Sequence, residues 1–153
     1  MAMSRCRPRV DPTVLEAIPL PVDLARVRIY QGESQGAVGR LRHFVLAVSR
    51  NRAVALGNHV FLPDRCRGDS AVLAHELTHC GQYQAWGPAI YFARGMAAQL
   101  RDLVHRKLGI GSSPYQYQET PDKPFKAYGM EQQAQMVEDR FRMSGRDQAM
   151  PSA

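Results

Sequence analysis

Hydrophobic residues change their period several times along this 153-residue chain, and each change marks a different element. Residues 25–30, ARVRIY, alternate apolar and charged side chains at a period of two, which predicts a half-buried strand. After the break QGESQG at 31–36, Val38, Leu41, Val45 and Val48 recur at helical spacing and predict a helix over 37–48. Two short apolar runs in RAVALGNHVFLP, residues 52–63, flank Gly57-Asn58. That is the signature of a β-hairpin, and either of its strands can be an exposed sheet edge. The loop DRCRGD precedes a helix capped by Asp69 or Ser70 that stops near Gly87-Pro88. A long amphipathic helix follows over 88–108 and ends at Gly109, with Arg106 and Lys107 in its last turn. Residues 109–124 read as loop, with Tyr115 and Tyr117 as its unusual members, and the last helix spans about 126–143.

Strands gathered in the first half and helices in the second predict an α+β fold. Its sheet should be small and twisted, of about three antiparallel or mixed strands packed on helices. Pro8, Pro12, Pro19 and Pro21 set residues 1–24 apart as an N-terminal arm; 25–144 form the domain, and 145–153 read as a flexible tail. A chain of this length can bury roughly 68–70% of its unfolded surface, so it can hold a core without staples. Its apolar stretches fall short of the ~18 residues that a membrane span requires. The opening MAMSRCRPRVDP is basic but leads into no apolar run, so no Sec signal peptide is expected. Cys6, Cys66 and Cys80 form no CxxC, which argues against a disulfide framework and against a cysteine zinc site.

The net charge of +6 is unevenly placed. Residues 1–67 carry 11 Arg and no Lys against five acids, whereas residues 68–153 carry nine bases and nine acids. An arginine excess suits carboxylate or phosphate partners. No helix-turn-helix, zinc finger or aromatic platform accompanies it, so nucleic acid is not an expected partner and a solvated surface is the simpler reading.

Chemistry concentrates in His75-Glu76-Leu77-Thr78-His79, an H-E-x-x-H. On a helix Val72, His75, Glu76 and His79 share one stripe, while Leu73, Leu77 and Cys80 fall on the next. Histidines at i and i+4 can reach one zinc ion, and the glutamate after the first is placed to accept a proton from the water that the ion acidifies. A catalytic zinc needs a third protein ligand. No histidine follows His79 until His105, so a metzincin continuation is absent. The best third donor lies in the last helix, where Met130, Ala134, Val137 and Phe141 form a core stripe with Glu131, Gln135 and Glu138 stacked on its flank. Position alone leaves Glu131 and Glu138 both open, and Glu138 also reads as a solvated helix-edge charge.

HELTHCGQYQAWG followed by YGMEQQAQMVEDRF resembles the small bacterial HExxH zinc metallopeptidases associated with extracellular contractile injection systems. Those domains pair a VLAHELTHVxQ-type helix with a later helix containing E-Q-Q-A. The resemblance covers about residues 53–141 and, more broadly, is similar to gluzincins, whose third zinc ligand is a glutamate on the helix after the motif. It implies a zincin-like domain over 25–144, Zn2+ held by His75, His79 and Glu131, and Glu76 as catalytic base. Gluzincins often place an Asp four residues after the ligand Glu to orient a histidine. Here that position is Gln135, and Glu138 or Asp139 could substitute.

The implied activity is metalloendopeptidase cleavage, with Glu76 accepting a proton and returning it to the leaving amine. Tyr115, Tyr117, Tyr128 and arginines are candidates to stabilise the oxyanion. A substrate strand could add antiparallel to the edge HVFLP. Expected partners are a peptide or protein substrate and components of a secretion or injection system. The chain would be made in the bacterial cytoplasm, with export left to a specialised system. The rival reading is a non-catalytic zincin-fold module that binds zinc for stability and serves as a docking or delivery domain of such a system.

Overall fold

The computed structural model describes residues 10–32 and 36–149. In chain order they form α1 (Pro12–Glu16), β1 (Arg28–Tyr30), α2 (Gly36–Val48), β2 (Val54–Leu56), β3 (His59–Phe61), α3 (Ser70–Trp86), α4 (Pro88–Leu108) and α5 (Met130–Ala149). Short 3-10 turns lie at Asp64–Cys66 and Phe125–Ala127. The fold is α+β with a small mixed sheet, as the hydrophobic pattern predicts.

Gly57, at φ 65°, adopts the left-handed region that most side chains avoid and so lets β2 fold back on β3. Val54 then faces Phe61 and Leu56 faces His59 in an antiparallel ladder. β1 joins the other side of β3 in parallel, with Arg28 beside His59 and Tyr30 beside Phe61, and the strand order is β1-β3-β2. Arg28 N–H donates to the Asn58 carbonyl at 2.8 Å and Leu62 N–H to the Tyr30 carbonyl at 2.9 Å. HVFLP is therefore not an edge. Its strand is paired on both sides, so β2 is the free edge of the hairpin.

α3 is the central element. The Asp69 carboxylate caps it, accepting from the N–H groups of Ala71 and Val72 at 3.1 and 3.0 Å. Ala74, Leu77, Thr78 and Cys80 have no exposed surface, and α1, β2, β3, α4 and α5 all pack on this helix. Burial thus surrounds most of α3 instead of following one stripe.

Residues 10–24 pack into the domain core instead of standing apart from it as an arm. Residues 1–9 lie outside the described residues, but α1 follows, with Pro12 in its first turn and Asp11 accepting from Thr13 N–H at 3.0 Å. Val14 and Ile18 enter the same core as Val27, Val60, Leu77 and Val137. Gln84 of α3 clamps the following segment: its Oε1 accepts from Asp23 N–H at 2.8 Å, and its Nε2 donates to Asn58 Oδ1 at 2.8 Å. Gly81 lets that segment pass close by, since a Cβ there would sit 3.2 Å from Val22 Cγ2. Pro12, Pro19 and Pro21 fit because none lies where a sheet or helix needs its N–H.

Other boundaries also move. The stripe that predicts α2 is not buried: Val38, Leu41 and Val48 are exposed, and within α2 Leu46 alone is buried. In α5 the core stripe is as expected, with Met130, Ala134 and Val137 buried and Phe141 packed beside them. The helix starts at Met130 instead of 126, because a 3-10 turn and an extended Tyr128 precede it. It runs on to Ala149 and so takes in most of the segment read as a flexible tail; 150–153 lie outside the described residues. No helix among the described residues is long and apolar enough to cross a membrane.

Candidate metal centre

α5 lies along α3 and brings its acidic flank onto the H-E-x-x-H turn. His79 Nε2 is 3.3 Å from Glu131 Oε2, and His75 Nε2 is 3.9 Å from the same oxygen. One donor atom each from His75, His79 and Glu131 fall within 4.8 Å of one another. Tetrahedral zinc at its usual bond lengths spaces donors at about 3.3 Å, so small adjustments bring these three onto one ion. Two imidazole nitrogens and a carboxylate are a zinc-type donor set, and this group can hold a metal.

Two buried glutamines fix how His79 faces that point. Gln133 Nε2 donates to the Tyr128 carbonyl at 2.8 Å, which turns its Oε1 toward α3. Gln82 Nε2 donates to that Oε1 and to the Met130 carbonyl, both at 3.0 Å. Gln82 Oε1 is left to face His79 Nδ1 at 2.8 Å and must accept its proton. Two backbone carbonyls, which can only accept, therefore dictate that Nδ1 carries a hydrogen and that Nε2 is the nitrogen turned toward Glu131 and available to a metal. Sequence reasoning missed Gln82 and Gln133 as functional. Both stand in the quoted HELTHCGQ and EQQA stretches, which was the available signal.

Glu138 is not a solvated edge charge. Its Oε2 lies 3.0 Å from His75 Nδ1, close enough to orient the ring though not aligned for a good hydrogen bond. Arg142 Nη2 meets Glu138 Oε1 at 2.9 Å and Asp69 Oδ2 at 3.2 Å, tying this contact to the N-cap of α3. Asp139 is engaged elsewhere, accepting from Tyr117 Oη at 2.7 Å and Gln135 Nε2 at 2.9 Å. Glu138, not Asp139 or Gln135, is thus the carboxylate behind a histidine.

Burial shapes the electrostatics, and neighbours decide the sign. Burial pulls His79 down, but the charge and hydrogen bond of Glu131 outweigh it and raise the imidazole to about 9. Burial likewise pushes Glu131 up, and the His79 charge and hydrogen bond more than reverse this, leaving it below the usual range. Contact with His75 holds Glu138 low, with Arg142 adding to it. Glu76 goes the other way: burial raises it despite both histidines. Its carboxylate accepts no hydrogen bond from protein among the described residues and lines the cleft.

That cleft has a volume of about 660 Å³, with His75, Glu76, His79 and Glu131 at its polar end. Tyr115 lines it, with the Arg52 guanidinium 5.7 Å from its ring centre. Tyr117 is committed to Asp139. The Tyr128 hydroxyl donates to the Gln118 carbonyl at 3.2 Å and accepts from Thr120 N–H at 3.1 Å. Of the three candidate tyrosines, only Tyr115 reaches the site. Cys66 and Cys80 are free thiols that form no part of the donor group, and Cys6 lies outside the described residues.

Residues 19–87 match the family model described as the eCIS core domain. The match takes in the sheet and α3, with His75, Glu76, His79 and Gln82, and stops at the Gly87 cap. It covers under half of the chain, and Glu131 and Glu138 lie beyond it. No curated protein and no solved structure matches. The family match associates the chain with extracellular contractile injection systems and points to their components as its partners.

Proposed function

We propose that this chain is a zinc-dependent, gluzincin-like peptidase that works in association with a contractile injection system. One observation carries the reading: a His-His-Glu donor group converges beside a buried glutamate that has no hydrogen-bond partner among the described residues, at the polar end of an open cleft. Zinc held by His75, His79 and Glu131 would supply Lewis acidity, activating a water and polarising a carbonyl. Glu76, raised by burial, is suited to accept the proton of an attacking water and to return it to the leaving amine. Tyr115, which lines the cleft, would supply a hydroxyl to a developing oxyanion. Gln82 and Glu138 hold the two rings in register.

The test pairs zinc content with hydrolysis in Glu76→Gln. Glu76 ligates nothing in this reading, so the variant should keep zinc and lose about 10²–10⁴-fold in cleavage of a peptide library followed by mass spectrometry. Undiminished cleavage in zinc-loaded Glu76→Gln refutes the mechanism. Full zinc with no cleavage by the wild type would favour the docking module.

A further inference from the structure

We propose that the cleft selects a peptide by one bulky apolar side chain wedged between α2 and α4, and not by main-chain pairing along the sheet edge; this rests on the peptidase reading of the polar end. Edge pairing is the obvious alternative, and β2 is poorly equipped for it. On either side of β3, Asn58 and Leu62 turn their bonding groups toward β1, so residues 59 and 61, out of phase with them, turn theirs toward β2. Val54 and Leu56, which face Phe61 and His59, are bonded inward. Ala55 is the one residue of this three-residue strand whose amide and carbonyl face outward. The Tyr91 hydroxyl, on a buried side chain, donates to that carbonyl at 2.9 Å. An added strand would find a single free N–H where a ladder needs donor and acceptor together.

The walls offer another kind of recognition. Phe44 and Val48 project from α2, Phe92 and Met96 from α4, and Leu56 from β2, all lining the same cleft. Each is exposed, Phe44 to 66% and Met96 to 73%, so apolar surface stands unpartnered on both sides of the entrance to the candidate site. Among the lining residues the charges are confined to Arg52 and to the histidine and carboxylate groups at the polar end. A substrate with an amide at the polar end and a large apolar side chain between the helices matches that division. A cleft of about 660 Å³ has room for the side chain and the flanking backbone.

Binding tests this without relying on turnover. Fluorescein-labelled nonapeptides of Gly, Ser and Ala, with Leu, Phe, Met, Ala or Asp at the centre, are titrated by anisotropy against the full chain carrying Glu76→Gln, with and without zinc. The Leu, Phe and Met peptides should bind about 10–100-fold more tightly than the Ala peptide. Phe44→Ser and Met96→Ser, both outside the core, should remove most of that preference while the melting temperature holds. N-methylation of the peptide amides should leave the affinity of the Leu peptide unchanged. Equal binding of Leu and Ala peptides, loss of binding on N-methylation, or no binding of any peptide overturns the proposal. Selective binding without hydrolysis by the zinc-loaded wild type leaves the proposal standing and overturns the peptidase reading instead.

Discussion

Replacing Gln82 with leucine removes the clasp that sets the His79 tautomer while roughly keeping the buried volume. Gln82 has no exposed surface and joins His79 Nδ1 at 2.8 Å to Gln133 Oε1 and the Met130 carbonyl at 3.0 Å. Leucine leaves His79 Nδ1 and Gln133 Oε1 buried without partners, at about 1–3 kcal/mol apiece, so the metal-free protein should lose about 2–6 kcal/mol. A single domain holds roughly 5–15 kcal/mol in total, so the shift is large enough to read from urea unfolding. His79 also loses the group that orients it, and zinc affinity, measured by competition with a chelator, should fall about 10–100-fold. Gln84→Leu is the control. It lies on the same helix but anchors Asp23 and Asn58, so it should cost stability and leave zinc affinity unchanged. If Gln82→Leu destabilises no differently from Gln84→Leu and keeps full zinc affinity, the tautomer relay is wrong.

Three further outcomes follow from the site. Glu131→Gln should abolish tight zinc binding, whereas Glu138→Gln should weaken it only about 10–100-fold, as befits a carboxylate behind a ligand; the reverse order in chelator competition would exchange their roles. His79 sits at about 9 without metal, and zinc takes only the unprotonated ring, so zinc uptake at pH 7.5 should release about one proton and tighten as pH rises toward 9. The same raised value stabilises the metal-free fold fully below about 6.5, a contribution lost as pH rises through about 9. Calorimetry in buffers of different ionisation heat reads the proton, and a buffer-independent heat refutes it. Burial, with Glu76 adding to it, pushes the Cys80 thiol up to about 12, so iodoacetamide at pH 8 should alkylate Cys66 in the native protein and reach Cys80 only after unfolding, as read by peptide mass mapping.

What the sequence determined by itself was local. His75, Glu76 and His79 share a helix face because four residues make little more than one turn, whatever the rest of the chain does. The Asp69 cap, the Gly57 turn and the core stripe of α5 rest on the same short-range rules, and each stands in the structure. The tertiary structure decided everything that needs two elements to meet. Position on α5 left Glu131 and Glu138 equivalent; only the rotation and offset of α5 against α3 bring one onto the Nε2 atoms and the other onto His75 Nδ1. Gln82 and Gln133 are 51 residues apart, and no periodicity in either helix signals that they bond. The N-terminal segment read as loose chain because its burial comes from α3 and the sheet rather than from its own pattern. The apolar stripe of α2 reads like a core face, yet its last two members, Val45 and Val48, line an open cleft and Val38 and Leu41 are exposed. Helical spacing records which residues share a face; whether that face meets protein or open space depends on how the other elements pack, which the spacing does not contain.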